Sequence, residues 1–160
     1  MRSTRSLLFV ALFGVSVFAG CSSTTSSNGG STPAATNAAT INGTVWTPDV
    51  PTTAAYFTAG AMTQVGLFDS KSQMLQLVLP GAPKTGTFTV GATTGNPFTG
   101  QFVKGTTKTQ YVITSGTVIV SAASTTHITG TFNFHATSLA SSSDSVVVTN
   151  GSFDSAVITQ

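Results

Sequence analysis

The chain contains no glutamate, one cysteine, one tryptophan and two histidines in 160 residues. Charged residues make up 6% of it, where ordinary domains carry about 25%. Each scarcity removes a class of function. Without glutamate, a carboxylate pair for acid–base work has to come from Asp49, Asp69, Asp144 and Asp154, which are scattered along the chain. Asp69 and Asp144 lie in turn-like sequence and Asp49 precedes Val50-Pro51, so turn formation accounts for them. A lone cysteine closes no disulfide within the chain. His127 and His135 fall eight residues apart on one face of one strand, roughly 26 Å. With no second cysteine and no glutamate to assist, a metal site is not expected. No G-x-S-x-G occurs, and the glycine-rich stretch 91–100 lacks the lysine and following helix of a phosphate loop. Nucleic acid is not expected as a partner either. Both arginines, Arg2 and Arg5, sit at the N-terminus, and after residue 20 four lysines balance four aspartates. These absences point to a non-enzymatic protein that needs no cofactor.

What is present begins with an export signal. Arg2 and Arg5 precede a short apolar run, Leu7 to Phe18. That is the layout of a signal peptide. As a helix the run reaches roughly 18 Å, well short of a bilayer core of about 30 Å. An ordinary cut after Ala19, with Val17 two places earlier, would leave Gly20 first. The competing cut falls between Gly20 and Cys21. There Phe18-Ala19-Gly20-Cys21 resembles the lipobox of bacterial lipoproteins, with Phe18 bulkier than the usual aliphatic residue. The resemblance implies that Cys21 is the first mature residue and carries a diacylglycerol on its thiol. Two or three acyl chains suffice for stable membrane attachment. Ser22 lacks the aspartate that resembles an inner-membrane retention signal, and no acidic run follows Cys21. The expected location is the outer membrane of a bacterial envelope, its periplasmic face favoured over the cell surface.

Residues 22–40 contain no aromatic, no large aliphatic and no charged side chain. Such a segment cannot bury enough apolar surface to offset chain entropy, and it reads as a disordered tether with a reach of roughly 25 Å. The expected organisation is a signal peptide over 1–20, a lipidated cysteine plus tether over 21–40, and one domain over 41–160.

The domain reads as all-β. It is rich in Thr, Val, Ile and Phe and is punctuated by glycine. The clearest alternation is at 127–136. Ile128, Gly130, Phe132, Phe134 and Ala136 fall on one face; His127, Thr129, Thr131, Asn133 and His135 fall on the other. Further strands are expected at 41–46, 55–59, 64–69, 74–79, 86–90, 100–103, 110–121, 145–149 and 152–158. Asn150-Gly151 suits a type I′ hairpin between the last two. The expected fold is a single antiparallel meander of about eight to ten strands, as a β-sandwich or a flattened barrel.

The stretches 130–138 ("GTFNFHATS") and 148–154 ("VTNGSFD"), with "INGTVWT" at 41–47 and "GTFTVG" at 86–91, resemble a family of small all-β lipoproteins of Bacteroidetes-type bacteria, a domain of unknown function. The resemblance implies the fold class and the envelope location. It carries over no catalytic residue.

Trp46, Tyr56, Phe57 and Phe98 lie near strand ends or loops, beside Thr and Asn. Exposed rings in such surroundings can hold a glycan, and a closed barrel can hold a small apolar ligand. Core packing is the favoured reading of Trp46 and Phe57. Threonines at period two, Thr85, Thr87 and Thr89 and then Thr129 and Thr131, follow from β-propensity. The reading is a lipid-anchored β domain that binds or fills a structural role, with an envelope protein, glycan or apolar molecule as partner. A secreted hydrolase fits least.

Overall fold

The computed structural model describes residues 37–91, 100–105 and 107–160. The stretches read as signal peptide and lipobox, nearly all of the expected tether, and Phe98 lie outside the described residues. Among the described residues ten strands are found: β1 (Ala38–Ile41), β2 (Thr44–Trp46), β3 (Val50–Phe57), β4 (Met62–Phe68), β5 (Met74–Pro80), β6 (Gly86–Val90), β7 (Gly100–Lys104), β8 (Thr109–Ala123), β9 (His127–Ser138) and β10 (Ser145–Thr159). The described residues contain no helix. The first strand starts at Ala38, three residues before the boundary read from the sequence, because Asn37 is tied across to β10. Its Oδ1 accepts from Asp154 N at 2.7 Å.

All ten strands belong to one sheet. Consecutive neighbours pair antiparallel along β3–β4–β5 and β7–β8–β9–β10, and β5 pairs directly with β7. The path then closes. Val157, Ile158 and Thr159 of β10 pair parallel with Ala54, Ala55 and Tyr56 of β3. Two backbone bonds lengthen this closure, Gln160 N to Tyr56 O at 2.8 Å and Thr58 N to Gln160 O at 3.0 Å. Seven strands thus form a ring of pairings, the arrangement of a flattened barrel. Two edges are shared. One edge of β8 pairs β7 at its start and β6 further on, and one edge of β10 pairs β1 first and β3 last. Strands of fifteen residues can serve two neighbours this way because they bend. Bulges interrupt β8 at Ile113/Ser115 and Val120/Ala122, and β10 at Val148/Gly151.

Both Asn-Gly pairs adopt the turn geometry the residues favour, with opposite results. Asn42 and Gly43 both have positive φ (47° and 80°) and make the tight β1–β2 turn, so the single strand expected over 41–46 is a hairpin. Asn150 has φ 50°, but Gly151 does not follow it into the left-handed region. The expected hairpin at 150–151 is therefore a bulge inside one long strand. Asn133 Oδ1 holds the bulge by accepting from Asn150 N at 3.0 Å.

Inside the ring the side chains form one contiguous cluster. It includes Val65, Leu67, Leu75, Leu77, Phe102, Tyr111, and the β9 residues Ile128, Phe132, Phe134 and Ala136. The alternation read at 127–136 is observed residue for residue. Phenylalanines from β9 and β10 lie over glycines on the facing strand: Phe134 opposite Gly116, and Phe153 opposite Gly130. Phe132 covers Gly151, where a Cβ would stand 2.2 Å from the ring. Phe132 in turn stacks against Phe134 and Phe153, at 6.0 and 6.3 Å between centroids. The motif "GTFNF" is thus a packing device: small residues on one strand make room for rings from the next.

Candidate functional site

The four aspartates are the natural starting point for chemistry, and each is occupied. Asp49 accepts from Ser70 N and Ser70 Oγ, both at 2.6 Å. Asp69 accepts from Trp46 Nε1 at 2.9 Å through Oδ2, and from Lys71 N and Gln73 N at 2.9 and 2.7 Å through Oδ1. Asp144 accepts from the Tyr111 hydroxyl at 2.9 Å. Asp154 faces His127 Nε2 at 2.5 Å. The first two ties bind the corner after β2 to the loop between β4 and β5. The last two cross between strands or close a loop. Turn formation, read from sequence for Asp69 and Asp144, accounts for their positions. His135 lies elsewhere on β9, its Nδ1 3.1 Å from Thr114 Oγ1. Among the described residues no group of three or more His, Cys, Asp or Glu could hold a metal ion.

Two of these ties move a proton affinity. The Ser70 hydroxyl, then the Ser70 backbone, hold the Asp49 carboxyl below the ordinary aspartate value of 3.8. Burial first, and the bond to Asp144 second, push the Tyr111 phenol above its ordinary 10.0. A carboxyl depressed in the folded state contributes stability above its unfolded value and loses it as pH falls through the folded value. The Asp49–Ser70 tie should therefore be intact at neutral pH and come apart below pH 3.8. A carboxyl-carbon NMR titration should show Asp49 titrating below that value, and Ser70→Ala should return it towards 3.8.

Of the aromatics singled out in the sequence, Trp46 is 9% exposed and packs in the core cluster, its indole N–H given to Asp69. Tyr56 and Phe57 are consecutive in β3 and so face opposite sides of the sheet. Tyr56 pairs inward with Thr63 and Thr159; Phe57 pairs outward with Met62.

Phe57 leads to an arrangement that the sequence reading passed over. On the outer face of β4, β5, β7 and β8, four glutamines join side chain to side chain. Gln76 Nε2 donates to Gln64 Oε1 at 3.1 Å, and Gln101 Nε2 to Gln76 Oε1 at 3.0 Å. Gln110 Nε2 donates to Gln101 Oε1, and at the far end Gln64 Nε2 reaches Met62 Sδ at 3.8 Å. The register explains the line. Gln76 and Gln101 are direct partners, while Gln64 and Gln110 stand one diagonal step to either side. Apolar side chains flank it. Phe57, Met62, Val78 and Pro80 lie on one bank, and Phe68, Met74 and Val103 on the other, all half-buried. No flanking side chain is charged. One signal was available in sequence. Each of the four strands carries one glutamine directly before a large inward residue: Gln64-Val65, Gln76-Leu77, Gln101-Phe102 and Gln110-Tyr111. Period two then puts every amide outside, but only the register brings them into one line.

A second feature lies across β8, β9 and β10. A shallow depression of about 310 Å³ opens at Gly116, rimmed by Ser115, Thr117, Asn133, His135 and Val147. Asn133 and His135 are already bonded to Asn150 and Thr114, so the rim is largely self-satisfied.

Residues 33–156 match a described family, Domain of unknown function (DUF6252). The chain belongs to that family. The DUF6252 match takes in β1 to β9, β10 as far as residue 156 and the whole glutamine line. No curated protein and no solved structure matches the chain. The DUF6252 description brings no residue roles with it, so function has to be read from this chain's own geometry.

Proposed function

We infer that the chain is a lipid-anchored envelope protein whose β domain binds a partner and does not catalyse a reaction. The observation that carries the binding reading is the commitment of all four aspartates to internal ties. Each carboxylate is already engaged by a group of the chain itself: Trp46 and the 71–73 backbone for Asp69, Ser70 for Asp49, Tyr111 for Asp144 and His127 for Asp154. An uncharged outer face carrying a bonded line of amides supports the same reading, since fixed donors and acceptors are what recognition requires. The interior is filled by the core cluster, which favours an outer surface over the lumen. The anchoring half of the proposal rests on Phe18-Ala19-Gly20-Cys21 behind a basic and apolar leader.

The test is intact mass of the protein from membranes of its own host, beside a Cys21→Ser variant. The expected mass starts at Cys21 and includes acyl chains, and the variant is left unprocessed or released from membranes. An unlipidated chain starting at Gly20 would overturn the anchor and make the protein a secreted factor. Fractionation of the same membranes should place the wild-type chain in the outer membrane.

A further inference from the structure

We propose that the glutamine line on the outer face of β4, β5, β7 and β8 is a binding seam for an uncharged linear polysaccharide. The inference rests on the reading of the domain as a binding module. A glutamine amide has two N–H donors and an oxygen with two lone pairs. Gln76 and Gln101 each use one donor and one acceptor on neighbouring amides, and Gln64 accepts from Gln76 and donates to Met62 Sδ on its own strand. Each therefore presents one N–H and one lone pair outward, in a direction fixed by the bond to the next amide. A neighbouring pair of sugar hydroxyls offers the complement, one acceptor and one donor.

Spacing and surroundings agree with that ligand. Gln76 and Gln101 face each other across one strand spacing, about 4.8 Å, and the two diagonal steps add about 7–8 Å each, so the seam runs roughly 20 Å, a length of about four pyranose rings. Sugar rings also present C–H faces, and the banks supply apolar contact for them, with Phe57 at one end and Phe68 on the opposite side. Neither the four glutamines nor the bank residues named above carry a charge, so a polyanion would find no counter-charge among them. An extended peptide usually binds by adding a strand to a free sheet edge. Here the backbone beneath the seam is already paired, β5 with β4 and β7, and β7 with β5 and β8. The amides lie on the face, where side chains alone can recognise a ligand.

The experiment is native affinity electrophoresis of the full chain purified from its host. The gels contain hydroxyethyl cellulose, laminarin or mannan, with alginate as the anionic control. At least one neutral polymer should retard the protein, and alginate should not. Gln76→Met and Gln101→Met keep side-chain length and remove the amide. Each should weaken retardation about fivefold, the loss of a single net hydrogen bond. Asn133→Ala, on β9 outside the seam, should leave it unchanged. Urea unfolding midpoints of the variants separate lost binding from lost fold. The seam assignment fails if no neutral polymer retards the protein, if alginate retards it more strongly, or if both methionine variants bind as wild type does. Sedimentation showing a dimer that Gln76→Met dissociates would overturn it in favour of a second copy seated on the seam. Binding indifferent to the seam variants leaves the domain a binding module with its site elsewhere. Release of reducing ends from a bound polymer would instead overturn the non-enzymatic reading itself.

Discussion

Phe132→Ala is expected to lower the unfolding free energy by about 3–5 kcal/mol. The ring is 1% exposed, stacks against Phe134 and Phe153, and roofs Gly151. Removing it takes away a buried aromatic and leaves a hole that the bulged backbone of β10 cannot fill. Domains of this size hold roughly 5–15 kcal/mol in total, so the loss should be visible as a fall in Tm of roughly 10–20 °C. Phe88→Ala gives the contrast. Phe88 is half-buried on β6, a strand that pairs only with β8 among the described residues, and about 1–2 kcal/mol is expected there. Urea unfolding with an unchanged m-value would measure both. Gly151→Ala extends the test, since its Cβ would meet the Phe132 ring. It should destabilise the wild type strongly and the Phe132→Ala background much less, a coupling that a double-mutant cycle reads directly. Equal losses for Phe132 and Phe88, or additive losses for Phe132 and Gly151, would mean that the ring-over-glycine packing does not organise the core.

How far the sequence discloses this fold depends on whether the governing contact is local. The β9 alternation is local, with one side chain in and the next out, and it was legible from His127 to Ala136. Turn chemistry is local too, yet it decides only backbone conformation and not whether the strand ends there. Asn42-Gly43 and Asn150-Gly151 look alike in sequence, and both place an asparagine at positive φ. The first turns the chain because β1 and β2 are short and have each other to pair with. The second only bulges it, because β9 runs alongside β10 on both sides of the kink and continues the pairing. Ring closure is the least local feature of all. Three parallel pairs between residues about a hundred positions apart leave no trace in either strand's composition. The candidate seam falls in between. Each glutamine could be placed on an outer face, but the line needs the register of four strands. Phe57, chosen in the sequence for its ring, reaches the bank of that line through its pairing with Met62. Trp46, chosen on the same grounds, is taken up by the core and by Asp69.

Asp69→Ala should cost about 2–3 kcal/mol, the largest effect expected from any polar side chain in the domain. Three donors converge on this carboxylate, from Trp46, Lys71 and Gln73. Two of them shape the loop between β4 and β5, where Ser72 holds φ 66° and donates its N–H to Asp69 O at 3.1 Å. The third is an indole N–H in a nearly buried ring. Without its acceptor that group keeps the cost of desolvation with nothing in return, about 1–3 kcal/mol alone. Asp69→Asn separates the contributions. Its remaining carbonyl can serve Lys71 N and Gln73 N, while the new NH₂ faces the indole N–H, donor against donor. About half the alanine effect is expected, concentrated at Trp46. Because Trp46 is the single tryptophan of the chain, its fluorescence reports on this corner alone. Both variants should red-shift the native emission as water reaches the ring, and Ser70→Ala, which cuts only the neighbouring Asp49 tie, should not. Unshifted emission in Asp69→Ala would show that apolar packing alone seats the indole. The corner after β2 would then be held by the core, with the carboxylate acting only on its own loop.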